Sequence, residues 1–309
     1  MTDKRAMKRV RDEIASLTLL GMTLFFGVML SAEIGEYVKD GLILAVKTVI
    51  PTSLPFMIIS DFYVSYGRPE NIRILKRTFS LIFGISESGL APFICGNIGG
   101  FPIGGKMCAQ SYSSGALSRD EAERLLALSS NPSCAFIIGG VGMGIYGEAR
   151  IGVLLLLSIY LATIICGLVT RTHSKKAILT TPNVNISYNF VSSVRRTGTS
   201  LINIISFIAI FSAVCGMLNR YVKSVLILYL LSAFLEVTNA VKIYSVQEVS
   251  PREVGMILSA FALGFGGLSV GLQTSVFALQ SGLRMRKYYL IKLAEGIISA
   301  SIFSLLYMI

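Results

Sequence analysis

At 309 residues, 53% hydrophobic and formally charged +11, the chain combines long uncharged runs with clustered cations. The apolar runs mark an all-α polytopic membrane protein with the lipid bilayer as its first partner. The charge does not mark a nucleic-acid binder, because the cations sit in short loops, where the positive-inside rule places them.

Those clusters are Lys4, Arg5, Lys8, Arg9 and Arg11; Arg68, Arg73, Lys76 and Arg77; Arg171, Lys175, Lys176, Arg195 and Arg196; and Arg284, Arg286 and Lys287. Five scattered cysteines in apolar surroundings read as buried thiols rather than disulfides or metal ligands. The single histidine, His173, lies in a basic loop and leaves no His-based metal site or triad. No nucleophile motif is present, so the expectation is a protein that is not an enzyme and uses no metal or cofactor.

In chain order, residues 1–13 form a charged cytoplasmic arm and 14–32 a first span. Glu33 and Glu36 stand where a signal peptidase would need small residues, so the span is read as a retained anchor, and 1–40 as arm plus anchor. Residues 33–40 are expected to make an acidic external turn and 41–60 to return across the membrane. A basic loop, 61–78, precedes an interrupted outward segment, 79–106, which contains GNIGGFPIGG. Ser118 then opens a helix with Glu121 three residues on, the spacing of a capping box. Asn131-Pro132 breaks that helix, and 118–147 is read as a re-entrant hairpin tipped there. A straight span follows at 151–170, and 171–197 is a cytoplasmic linker.

The second half repeats this order. Thr52-Ser53-Leu54 is echoed by Thr199-Ser200-Leu201 at the start of the span 198–218, and the polar interruption returns as FLEVTNAVK after the span opening at 224. Ser250 and Glu253 repeat the capping spacing, with Pro251 expected at the first helical position. Gly267 lies in a second break, giving a hairpin at 250–280, and 288–309 is the last span. With basic loops cytoplasmic, repeats 41–170 and 198–309 run in opposite senses. The reading is about seven transmembrane helices plus two re-entrant hairpins in an inverted repeat, the N-terminus cytoplasmic and the C-terminus outside.

Ionisable residues in spans are costly and point to function. They are Glu87, Lys106, Glu236, Lys242, Lys292 and Glu295, with Asn97, Asn131, Asn203, Thr238, Asn239 and Gln273 as neutral partners. Lys106 and Lys242 either snorkel to an interface or contribute to a site. Lys292 and Glu295, three apart, are placed to pair with each other. Glu236 and Asn239 offer a carboxylate and an amide to one ligand on an apolar helix. Gly99, Gly100, Gly104 and Gly105 serve close packing or backbone approach to a ligand; a phosphate loop is the weakest option, since Gly105-Lys106 is followed by Met107.

GGFPIGGK, SRDEAERLLALSSNPS and FLEVTN resemble the nucleoside-recognition (Gate) family, near the YlbJ-type sporulation integral membrane proteins, over roughly residues 41–309. The resemblance implies a bacterial inner-membrane protein with a hairpin fold similar to concentrative nucleoside transporters. It implies a small polar, nucleoside-like solute and a coupling ion. It directs attention to Asn97, Lys106, Asn131, Glu236, Thr238 and Asn239 as binding positions and to Phe101, Pro102 and Pro132 as shaping residues. The solute, the direction of movement and the oligomeric state, a homo-oligomer included, stay open, as does a non-transporting role in spore envelope maturation through partners.

Overall fold

In lipid a backbone can satisfy its own amides within one segment only as helix. In the computed structural model every regular element among the described residues is helical; those residues are 17, 18, 21, 27, 30–66, 73–101, 103–172, 190–246 and 251–308. Five helices among them are long and apolar enough to cross a membrane. The chain is a multi-pass membrane protein.

Helix α1 (Ser31–Leu44) runs through a π turn (Ala45–Val49) into α2 (Ile50–Tyr66). The acidic turn expected at 33–40 is therefore helix, and the boundary at residue 40 falls inside it. The segment SAEIGEYVKD contains no proline and is rich in helix formers, and Glu36 pairs with Lys39 at 3.2 Å along one face. Helix α8 (Phe190–Tyr221) lies antiparallel to this rod. Arg220 pairs with Glu33 at 2.6 Å, Ser212 packs beneath Gly41, and Arg196 binds Asp61.

The expected loop 61–78 and span 79–106 are divided differently. Helix α3 (Arg73–Phe83) buries Phe79 and Phe83 and turns 99° from the segment that follows. Helices α4 (Leu90–Gly99) and α5 (Ile103–Ser113) then fold back on each other. A methyl on Gly96 would lie 2.7 Å from the Gly104 Cα, so the two helices touch eight residues apart across the turn at Gly100. Their feet meet at one end: the Ser86 amide and the Ser118 amide both donate to Glu121, at 2.7 and 2.8 Å. Ser118 and Glu121 form a reciprocal capping box opening α6 (Arg119–Leu128).

Residues 118–147 do not fold back. The start of α6 lies at the C-terminal end of α7 (Ala149–Val169), where Thr172 donates to Asp120 at 2.8 Å and Arg124 to the Thr170 carbonyl at 3.3 Å. The π-helix Phe136–Ile145 ends at the start of α7. Because α7 has 21 residues and spans ~31 Å, the chain from 118 to 147 crosses that whole length. It is a crossing broken at 129–133, and not the hairpin read from its sequence.

The second half makes the same exchange. Helices α9 (Val225–Leu235) and α10 (Val237–Val246) fold back at Glu236, bringing Tyr229 and Tyr244 ring to ring at 5.0 Å. A straight course would hold those residues ~22 Å apart. Helices α11 (Arg252–Phe265) and α12 (Gly267–Gln280), read as the second hairpin, instead form one broken crossing of 29 residues, Arg252–Gln280. Arg252 meets Glu148 and the Tyr146 carbonyl at one end, and the Arg284 amide meets Glu123 at the other. Pro251 stands just before the first helical residue, Glu253 is exposed in the first turn, and Ser250 lies outside the described residues. Helix α13 (Arg286–Tyr307) completes the chain.

In each half a folded-back pair is followed by a broken crossing and a straight crossing; the first half also carries α3 ahead of its pair. The feet of the first pair lie at the Glu121 end of α6, and those of the second lie where Tyr244 backs Gly255. Small residues bring the crossings together, as expected where packing rather than water drives association. A methyl on Gly142 would meet the Gly152 Cα at 2.6 Å, and one on Gly264 the Gly296 Cα at 3.0 Å.

Candidate functional site

Both fold-back tips and both broken crossings converge on one cavity of about 40 Å³. Gly100 comes from the first tip, Ser133 from the first break, Glu236 from the second tip and Gln273 from the helix after the second break; Ser53 and Ile208 close it from α2 and α8. Each tip touches the break of its own half. Gly100, at φ +79°, leaves no room for a side chain, since a methyl there would lie 2.7 Å from the Ser133 amide. Gly267, at φ +74°, is 3.1 Å by the same measure from the Leu235 carbonyl. Only glycine adopts these left-handed conformations freely.

Glu236 is the one charged side chain that lines the cavity among the described residues, and it is 2% exposed. It does not sit within a continuous helix with Asn239, as its sequence suggests. It occupies the break itself, with extended backbone at φ −152° and ψ 122°, and caps α10. The Asn239 amide donates to its carboxylate at 2.7 Å and the Asn239 side chain at 2.9 Å. Asn239 and Ser212 exchange hydrogen bonds, at 2.8 and 3.1 Å, which fastens the tip to α8. A carboxylate at a helix N-terminus is favoured by the exposed amides and the helix dipole. Thr238 lines the cavity beside it.

Asn97 and Asn131 face another direction. Asn131 donates to the Asn97 side-chain oxygen and to Thr163, both at 2.9 Å, and accepts from Lys292 at 2.7 Å. Lys292 pairs with Glu295 at 3.2 Å, and Thr163 donates to Glu295 at 2.6 Å. Asn97 spends its amide protons on the Phe93 and Leu128 carbonyls. Lys292, Glu295 and Asn131 are fully buried, and their bonds are made within the protein. This network ties α13 to the first break and to α4, one residue behind the cavity wall at Pro132.

The remaining predicted positions separate. Lys106 lies 3.9 Å from Asp61, beside Arg196, outside the cavity lining. Phe101 and Pro132 line the cavity; Pro102 lies outside the described residues. Glu87, Lys242 and Asn203 are exposed. Gly96 and Gly104 serve packing, since a methyl on either would lie 2.2 or 2.0 Å from the Ser129 carbonyl. The helix start near Ser133, read from sequence as a place where amide donors and a dipole end could meet a polar ligand, lines the cavity; sequence reading missed Ser53, Thr163 and Ser212 as site residues, each a small polar residue in an apolar run.

Outside the spans, a cluster pins the basic end. Asp120 binds Lys287 and Thr172 and pairs with Arg124. Burial alone would raise its carboxyl, but the Lys287 ammonium and the Thr172 hydroxyl overcome that and hold it below the ordinary value.

The chain is similar to the "Sporulation integral membrane protein YlbJ" of Bacillus subtilis (strain 168), 26% identical over 315 residues, covering 88% of this chain and 77% of that protein. No family model and no solved structure matches.

Proposed function

We propose that the chain is a bacterial inner-membrane transport protein that binds a small polar solute, nucleoside-like in class, between two re-entrant hairpins related by an inverted repeat. One observation carries this reading: two fold-back tips entering from opposite ends meet two broken crossings at one cavity lined by a buried carboxylate. Interrupted helices with polar groups at membrane depth are tolerated where they line a cavity, and paired interruptions mark transporter sites. The hairpins of this reading are residues 90–113 and 225–246.

The cavity is well below the ~300 Å³ of an organic-ligand site, so an organic solute enters only when the cavity widens. The buried Asn97–Asn131–Lys292–Glu295 network joins elements of both halves, and rocking one repeat against the other would break it. Motion of the hairpins and crossings together against α1, α2 and α8 keeps it intact. That motion separates the Lys106–Asp61 pair, the Ser212–Asn239 bonds and the apolar contacts that Val49, Met57, Ile204 and Ile208 make in the shared core.

Uptake into proteoliposomes of labelled nucleosides, bases and amino acids tests the reading. The expected result is uptake of one class, reduced at least tenfold by Glu236→Ala in protein that melts as the parent does. No uptake of any class, with no ligand raising the melting midpoint, overturns it. The sporulation label of the Bacillus subtilis relative supports a second reading, a partner-dependent role in spore envelope maturation. Rescue of a strain lacking that relative by both the parent chain and Glu236→Ala favours the second reading; rescue by the parent alone favours the first.

A further inference from the structure

We propose that the groove between α7 and α13 holds one anionic phospholipid, its phosphate met by Arg286 and Lys287 and one acyl chain laid against Ala294 and Ile298. The groove shares no lining residue with the cavity between the tips, so this site stands or falls apart from the transport reading.

Three features of the groove fit that occupant. First, it has about 170 Å³ of space, lined from α7 by Cys166, Val169 and Thr170 and from α13 by Ile291, Ala294 and Ile298. It offers a ligand no free polar group: Thr170 donates its hydroxyl to the Cys166 carbonyl at 2.7 Å, and the Cys166 thiol faces the Ile291 carbonyl at 4.0 Å. Val169, 80% exposed, and Leu290, 60% exposed, stand at its rim, so it opens on the outer surface, where lipid lies. An apolar space of about 150 Å³ accepts a benzene-sized hydrocarbon, so a stretch of acyl chain fits this one. Second, cations head the groove. Lys287, Ile291, Ala294 and Ile298 follow one another at helical spacing and form one stripe of α13. Asp120 and Glu123 both pair with Lys287, and Arg124 pairs with Asp120, so two cations balance those two carboxylates. Arg284 and Arg286 are then in excess; both are exposed and have no ion-pair partner among the described residues. An ammonium has three donor hydrogens, which leaves Lys287 one to spare, and a guanidinium grips a phosphate through two. Third, the order is that of a phospholipid. The cations stand at the first turn of a membrane-spanning helix, and the apolar trough runs ~12 Å from Leu290 to Ile298 along it. Basic pockets between transmembrane helices take anionic lipid headgroups. Arg171 follows Thr170 in sequence, but its stem lies over Gly84 on the α3 side and away from this stripe.

Native mass spectrometry of the purified full chain in an uncharged detergent tests the site. Phosphatidylglycerol and phosphatidylcholine of the same acyl chains are titrated separately and in competition, with glycerol phosphate as the headgroup alone. The expected result is one phosphatidylglycerol retained per chain in preference to phosphatidylcholine, and no competition from glycerol phosphate. Arg286→Gln should raise the half-saturating concentration about fivefold, the worth of one cation beside an anionic lipid. Arg171→Gln, the same loss of charge off the stripe, should leave it unchanged. Ala294 is exposed, so Ala294→Phe fills the groove without entering the core and should abolish selective retention. Equal retention of the two lipids overturns the site, as does an equal effect of Arg171→Gln and Arg286→Gln, which would mean surface charge in general. Undiminished binding in Ala294→Phe, or displacement by glycerol phosphate, would show that the trough holds no chain and overturns it too. A dimer that Ala294→Phe dissociates would assign the groove to a second copy of the chain instead.

Discussion

Lys292 and Glu295 illustrate how an intramembrane charge can be structural. Their three-residue spacing was legible as a pair; their bonds to Asn131 and Thr163 were not, because those partners lie 161 and 132 residues away in sequence. Asn97 and Asn131 were read as ligand groups for the same reason: an isolated asparagine in an apolar run looks alike whether it faces a cavity or another asparagine. Removing one member of the buried pair leaves an uncompensated charge. Lys292→Met should therefore cost about 3–5 kcal/mol, and the double variant Lys292→Met with Glu295→Met should recover most of it. Denaturation in detergent measures both; a double variant as unstable as the single would contradict this account of the network. Asp120 carries the pH dependence of the basic end. A carboxyl held low contributes stability that is present above its unfolded value and is lost as pH falls through its folded value, below the usual carboxylate range. Acid titration should loosen that end in the parent chain and change Asp120→Asn less, read as hydrogen exchange at residues 119–124.

At the level of elements, the order of spans and interruptions was readable, and the direction of the chain through each interruption was not. GNIGGFPIGG, SSNPS, FLEVTN and LGFGG are all breaks in apolar helices. Periodicity cannot tell whether the chain turns back or continues; that is decided by where the feet land. The Ser118–Glu121 cap was legible because it closes locally, and it led to the wrong hairpin because a cap marks where a helix starts and not where it goes. Single cysteines settle the path in a chain otherwise free of reactive thiols: Ser118→Cys and Glu148→Cys should label from opposite sides of the membrane. Labelling from one side would restore a hairpin at 118–147. The fit of the first fold-back against its break gives a second prediction. Gly104→Ala places a methyl 2.0 Å from the Ser129 carbonyl and should cost roughly 1–3 kcal/mol. Gly198→Ala, with nothing within 4 Å, should be neutral or stabilising by about 0.4–1 kcal/mol.

For the whole molecule, each half brings a fold-back and a break to the cavity, with different electrostatics. The first half meets its break through a network that carries its own cation, Lys292; the second presents Glu236 to the cavity without one. The α1–α2 rod and α8 hold the outside through part-exposed ion pairs at Glu33–Arg220 and Asp61–Arg196. Sequence reading reached the membrane class and singled out Glu236, since an isolated carboxylate in an apolar run stands out. It could not reach the cavity, which exists only where segments 100, 133, 236 and 273 meet. Hydrogen–deuterium exchange on the full chain, with and without the probe that raises its melting midpoint, tests that meeting point most directly. The account predicts coordinated protection of residues 97–101, 129–136, 235–240 and 264–274, with α1 and the outer face of α8 unchanged. Protection confined to one of these segments, or centred on the Lys106–Asp61–Arg196 cluster, would contradict it.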